Sequence, residues 1–339
     1  MRLARFWGMM IGSLAMLLSP AASVAAPAAA DSFRNPLLPS GPDPWVIQKD
    51  GYYYYMSTLG NRLAIRKVRN MADLARSQAV TIWTPPATGP NSASIWAPEL
   101  HWIGNRWYVY YSASDKARDK AGNRHIFVLE NPSADPTKGQ WTDRGMVNTA
   151  NPGIDATVFQ VGGKWYFAYS PFIWPDSLLA IAAMKNPWTL SGETIIARPD
   201  QPWERVAGAQ IVEAPQFLSG PKGDLFLIYS GGTCKSDDYG LGMLRAKPGS
   251  NPLDPKAWQK TKRPVFTKNI RAGVYAPGHA AFFTAPDGQN WIIYHANPGP
   301  NMQCTQKRSP RIQPFTFDAT GVPSFGPAVG APQALARPS

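Results

Sequence analysis

Histidine, cysteine and acidic side chains are scarce in this 339-residue chain: it has 4 His, 2 Cys and 22 Asp and Glu against 34 Lys and Arg. The histidines, at 101, 125, 279 and 295, stand at no ligand spacing with each other or with the cysteines, which excludes a zinc signature. Charged residues are also few, at 17%, while 44% of the chain is apolar and 12% aromatic, so disorder is excluded as the main state. Beyond the first 30 residues no stretch reaches the roughly 18 to 20 apolar residues that a membrane helix requires. The formal charge of +12 arises from Lys and Arg scattered singly, without a basic tract or a nucleic-acid-binding motif. We therefore expect neither a nucleic-acid nor a membrane partner, and read the charge as a solubilising or weakly wall-binding surface.

The N-terminus carries Arg2 and Arg5, an apolar run from Phe6 to Leu18, and the small residues Ser23-Val24-Ala25. This order reads as a signal peptide over residues 1–26, leaving 27–339 as a single exported domain, secreted or periplasmic. Loss of its two arginines takes the charge from +12 to +10. In an exported chain Cys234 and Cys304 are either a disulfide or two free thiols. The bridge is the expectation; it would close a 70-residue loop and contribute about 4 kcal/mol through chain entropy.

What is abundant is turn chemistry and aromatics: 34 Pro and 29 Gly beside 13 Trp, 13 Tyr and 14 Phe, a mixture suited to short strands and tight turns. One pattern recurs five times: a charged or His residue opens a short apolar strand, and a turn leads to an aromatic strand. The openings are Asp43-Pro-Trp-Val-Ile, Glu99-Leu-His-Trp-Ile, Asp155-Ala-Thr-Val-Phe, Glu213-Ala-Pro-Gln-Phe and His279-Ala-Ala-Phe-Phe. Their spacings of 56, 56, 58 and 66 residues each hold about four short strands. The expected fold is all-β: a five-bladed β-propeller with four-stranded antiparallel blades.

In a propeller the innermost strand of each blade runs beside the central channel, so equivalent positions in the repeats converge on one axis. Asp43, Glu99, Asp155, Glu213 and His279 are then expected in one pocket, where burial and mutual repulsion separate their pKa values. The bland alternative is that they only end strands, since Asp-Pro and Ala-Pro are ordinary turn chemistry. Paired carboxylates among abundant Trp in an exported protein suit glycoside hydrolysis, in which one carboxyl donates a proton while another stays ionised.

In order and spacing the elements Gly41-Pro-Asp43-Pro-Trp, Trp96-Ala-Pro-Glu99, Gly153-Ile-Asp155-Ala-Thr, Val212-Glu213-Ala-Pro, Gly278-His279 and Arg311-Ile-Gln-Pro-Phe resemble glycoside hydrolase family 43. The resemblance covers the whole mature chain. It implies an inverting five-bladed propeller enzyme with Asp43 as general base, Glu213 as general acid, and Asp155 as the group that raises and orients the acid. It also implies that Arg311 holds Asp155 or a sugar hydroxyl. Trp96, Glu99 and Arg311 form the expected substrate-binding set, with Glu99 left between sugar binding and channel structure, and Trp96 between pocket wall and packing. His279 matches the position where the family sets a His near a water-shelled Ca²⁺ on the axis. Such a Ca²⁺ would be structural, and no cofactor is expected to take part in the chemistry.

The stretches Gly231-Gly-Thr-Cys-Lys-Ser-Asp-Asp-Tyr and Arg308-Ser-Pro-Arg311-Ile-Gln-Pro-Phe look like those of exo-acting α-L-arabinofuranosidases, whereas Phe317 departs from a common Trp. The expected partner is thus plant cell-wall polysaccharide, arabinan or arabinoxylan, attacked by a monomer. The alternatives are a β-xylosidase or endo-arabinanase on the same scaffold, or a non-catalytic propeller lectin. The loops expected to discriminate them follow Ser112 and Ser170.

Overall fold

The computed structural model describes residues 31–339 and Met1, so the leader read at residues 1–26 lies, apart from Met1, outside the described residues. Five antiparallel four-stranded sheets follow one another along the chain, as the repeat predicts. Blade 1 comprises Trp45–Lys49, Tyr52–Met56, Leu63–Val68 and Ala79–Trp83; blade 2 comprises Ala93–Ile103, Arg106–Ser114, His125–Asn131 and Thr142–Met146. Blade 3 is Gly153–Val161, Lys164–Ile173, Leu179–Asn186 and Thr189–Ala197, with a two-residue strand, Asp176–Ser177, folded back on its second strand. Blade 4 is Val212–Ser219, Leu225–Gly231, Gly240–Ala246 and Gln259–Lys260, and blade 5 is Tyr275–Thr284, Asn290–Asn297, Ser309–Phe317 and Pro323–Ser324.

The aromatic second strands explain why the blades pack as a ring. Side chains alternate across a strand, and here both faces are covered by a neighbouring blade, so the run need not alternate with polar residues. Tyr54 and Met56 pack toward blade 2, whereas Tyr53 and Tyr55 pack toward blade 5. The same division recurs with Trp107, Val109 and Tyr111 facing blade 1 while Tyr108 and Tyr110 face blade 3. Five inter-blade cores result, in which side chains as large as Trp107 and Trp291 are fully buried. Truncating either to Ala would cost on the order of 3 to 5 kcal/mol.

Closure of the ring positions the functional face. Ser32–Arg34 pairs with Ala334–Ala336 at the opposite end of the chain. The following segment is tied to the third strand of blade 5 and its approach: Leu37 N–H donates to Pro310 O at 2.8 Å, and Gly41 N–H to Arg308 O at 3.0 Å. Asn35 gives and receives side-chain bonds with the backbone of Ile312, at 2.8 and 3.0 Å. Asp43 is thereby delivered beside Arg308. No helix among the described residues is long and apolar enough to cross a membrane.

Candidate active site

Where each blade's first strand reaches the channel mouth, a corresponding residue takes a left-handed backbone: Asp43 (φ 54°), Ala97 (44°), Asp155 (59°), Ala214 (52°) and His279 (48°). In blades 2 to 5 these residues coincide with breaks in strand register. A bulge of this kind re-aims the neighbouring side chain, and non-glycine residues tolerate the conformation only when the surroundings hold them there. What holds them is a repeated hydrogen bond from the backbone N–H to a side chain of the preceding blade. Ala97 donates to Thr58 Oγ1 (2.7 Å), Asp155 to Ser112 Oγ (3.1 Å), Ala214 to Ser170 Oγ (3.1 Å) and His279 to Ser230 Oγ (2.8 Å). Asp43 closes the circle on His295 Nδ1 at 3.0 Å.

This ring was missed at the level of sequence, although its trace is visible there. The acceptors end the aromatic strands as Tyr111-Ser112, Tyr169-Ser170, Tyr229-Ser230 and Tyr294-His295, with Thr58 three residues after Tyr55. The ring also corrects the register of the repeat. Glu213 precedes the left-handed residue of its blade by one position and Glu99 follows its own by two, so Glu99 points elsewhere.

Asp43, Asp155 and Glu213 line one cavity of about 340 Å³, together with Thr58, Trp96, Ile154, Tyr239, His279 and Arg308. Asp43 accepts from Thr58 Oγ1 at 2.6 Å and from Arg308 Nη1 at 3.0 Å. Burial alone would raise its pKa, but the charge of Arg308 and the Thr58 hydroxyl outweigh that and hold it well below the usual carboxylate range. Its neighbours behave oppositely. Burial, opposed by the hydrogen bond from Tyr239 and reinforced by the charge of Asp43, pushes Glu213 up to about 7. Tyr239 Oη donates to Glu213 Oε1 at 2.7 Å. Burial and then the charge of Glu213 raise Asp155 well above its ordinary value, so the two carboxyls titrate as a pair that retains a proton near neutrality.

Trp96 lines the cavity, backed by the Arg124 guanidinium 3.9 Å over its ring. The other two members of the expected substrate-binding set do not reach the cavity. Glu99 is buried lower in the channel, bonded to His101 Nε2 at 2.9 Å and to Gln216. Burial raises the Glu99 carboxyl and brings His101 down to about 3, so this is a neutral polar plug. Arg311 is 1% exposed and lies within its strand opposite Tyr294. The guanidinium in the cavity is that of Arg308, which precedes the strand and faces the mouth. Phe317 packs on Phe315, with ring centroids 5.6 Å apart, away from the cavity.

His279 Nδ1 and His295 Nδ1 each lie 3.5 Å from Asp43 Oδ1. Because His295 Nδ1 accepts the Asp43 N–H, that ring is neutral with its proton on Nε2. No group of three or more His, Cys, Asp or Glu among the described residues suits a metal. A water-shelled Ca²⁺ on the axis would be met here by the His279 ring, since the neighbouring Asp43 carboxylate is engaged by Arg308.

Cys234 and Cys304 form the disulfide, with Cα atoms 5.1 Å apart. Both cysteines line the cavity, so the bridge fastens the loop carrying Tyr239 to the loop carrying Arg308. The backbone N–H of Asn301 adds bonds to the Asp237 carboxylate at 2.9 and 3.1 Å.

Comparison with known proteins agrees with this geometry. The model of glycosyl hydrolases family 43 matches residues 33–323. An extracellular exo-α-(1→5)-L-arabinofuranosidase of Streptomyces chartreusis is 37% identical over 292 residues, covering 83% of this chain and 87% of its own. Its namesake from Streptomyces avermitilis is 34% identical over 339 residues, covering 95% and 69%. Among solved structures, an α-L-arabinofuranosidase from Lactobacillus brevis superposes with a TM-score of 0.83 at 31% identity, over 88% of this chain and 98% of that one. With three carboxyl groups gathered at the mouth of a five-bladed ring and this likeness over nearly its whole described length, the chain belongs to glycosyl hydrolases family 43, whose chemistry calls for no cofactor.

Proposed function

We propose that this enzyme is an exported, inverting exo-α-L-arabinofuranosidase that removes terminal arabinofuranose from 1,5-linked arabinan and its oligomers. The observation that carries the reading is the division of protonation inside one cavity. Asp43 is held as an anion, while Glu213 keeps its proton up to about pH 7 and burial pushes Asp155 well above the usual carboxylate range. These are the two states that single-displacement hydrolysis needs at once. Asp43 takes a proton from a water as that water attacks the anomeric carbon. Glu213 gives its proton to the glycosidic oxygen as the bond breaks, and solvent then restores both groups. Asp155 acts as a positioning residue beside Glu213 in the same cavity, while burial and the charge of Asp43 keep Glu213 protonated.

The printed names of the relatives support the furanose. A cavity of about 340 Å³ lies at the small end for ligand sites and supports a terminal sugar over a mid-chain segment. The leader read at residues 1–26 and the extracellular relatives support export, with 27–339 as the working unit. The ring is completed within one chain, which supports a monomer, and arabinoxylan side chains present the same terminal sugar.

Product sizing tests the proposal: debranched arabinan should yield arabinose as the only early product, with inverted configuration by proton NMR. Early arabinobiose or longer oligomers would mean an endo enzyme, and faster cleavage of an aryl xyloside than of an aryl arabinofuranoside would mean a xylosidase. The pH profile offers a second check. The Tyr239 hydroxyl favours the ionised form of Glu213, so removing it raises the acid's pKa. Tyr239→Phe should move the alkaline limb of kcat/KM upward by roughly half to one pH unit. A downward or absent shift would contradict the assignment of that limb to Glu213.

A further inference from the structure

One large apolar side chain near the mouth is left in water. Trp174 is 94% exposed, whereas the other tryptophans among the described residues are buried or half-buried. It stands at the tip of a hairpin after Ser170, in which Phe172 pairs with Ser177 and Ile173 with Asp176. The hairpin borders a cleft of about 380 Å³ lined also by Pro175, Ile211 and Gly122, the last from the loop after Ser112. The two loops expected to discriminate substrates thus share one cleft. Asp176 lines it too, and its Oδ1 is buried without a hydrogen-bond partner among the described residues.

The cleft is coupled to the acid. Ser177 N–H donates to Gln210 O at 3.1 Å, and Ser177 Oγ to Val212 O at 3.3 Å, so the hairpin is stitched to the residues that run directly into Glu213. Because the acid protonates the glycosidic oxygen, the departing part of the substrate lies on its side. From this we infer that the Trp174 hairpin is a distal subsite holding arabinosyl units on the leaving side of the chain whose terminal sugar fills the cavity. The apolar faces of the sugars stack on the Trp174 indole, and a ring hydroxyl donates to the Asp176 carboxylate where it lines the cleft. This rests on the arabinan reading above.

The test compares kcat/KM for 4-nitrophenyl α-L-arabinofuranoside, arabinobiose and linear arabinohexaose. In Trp174→Ala the ratio of hexaose to biose should fall about tenfold, carried by KM, with Trp174→Phe restoring most of it. Asp176→Asn should lower the same ratio roughly threefold. Titration of arabinohexaose into the Glu213→Gln enzyme with and without Trp174→Ala should show the same loss in affinity. An unchanged ratio in folded variants that still release arabinose overturns the subsite alone. A wild-type enzyme that releases no arabinose from any of the three overturns the arabinan reading and the subsite together. A dimer by sedimentation that Trp174→Ala dissociates, with the ratio unchanged, would assign the indole to a second copy of the chain and overturn the subsite.

Discussion

Replacing Asp43 with Ala is expected to lower kcat/KM by about 10⁴-fold on every substrate, aryl arabinofuranosides included. Water must be deprotonated whatever the leaving group, and no other carboxylate in the cavity is held ionised in the same way. The low pKa of Asp43 depends on Arg308 at 3.0 Å and Thr58 at 2.6 Å, which keep it an anion under conditions where its buried neighbours are protonated. Ala also leaves Arg308 facing the cavity unpaired, so the shape-preserving Asp43→Asn separates chemistry from packing. It should lose activity to a similar extent while retaining the thermal midpoint of the wild type. Activity within tenfold of wild type in Asp43→Asn would remove the residue from the role of base.

Glu213→Ala should instead discriminate between substrates. On arabinan the leaving group is a sugar alcohol that needs its proton, and a loss of about 10³-fold is expected. A 2,4-dinitrophenyl arabinofuranoside departs without protonation, so the loss there should be about tenfold or less. The pH profile should change with it. In the wild type, kcat/KM on arabinan falls as pH rises through about 7, because the acid loses its proton there. In Glu213→Ala that alkaline limb should be absent from the residual activity on arabinan. Equal losses on the two substrates, or a persistent limb, would place the acid elsewhere.

Much of the architecture was legible because the second strand of each blade is covered on both faces. That condition writes itself as runs such as Tyr52-Tyr-Tyr-Tyr55 and Trp107-Tyr-Val-Tyr-Tyr111, repeated at nearly constant spacing. Asp43, Asp155 and Glu213 were legible for a related reason, since they open the first strands at the places where the repeats begin. Glu99 shared that pattern by eye only. A bulge at Ala97 separates it from the mouth, and a shift of one or two residues in a strand sends a side chain to another surface. Arg308 and Arg311 are three residues apart in sequence and equally basic. Only the start of the strand at Ser309 decides that one faces the cavity while the other is buried opposite Tyr294.

The sequence by itself determined the all-β class, the five repeats and the acids that open them, because aromatic strand runs and turn chemistry are local and leave a periodic record. Tertiary structure alone decided which carboxyl is ionised, since that depends on Arg308 and Thr58 being brought to Asp43 from elsewhere in the chain. It likewise decided that Tyr239 meets Glu213, that the bond between Cys234 and Cys304 walls the cavity, and that Trp174 stands in solvent at a second cleft. Electrostatics and burial act across space between loops whose separation along the chain carries no period, so no pattern in the sequence records them.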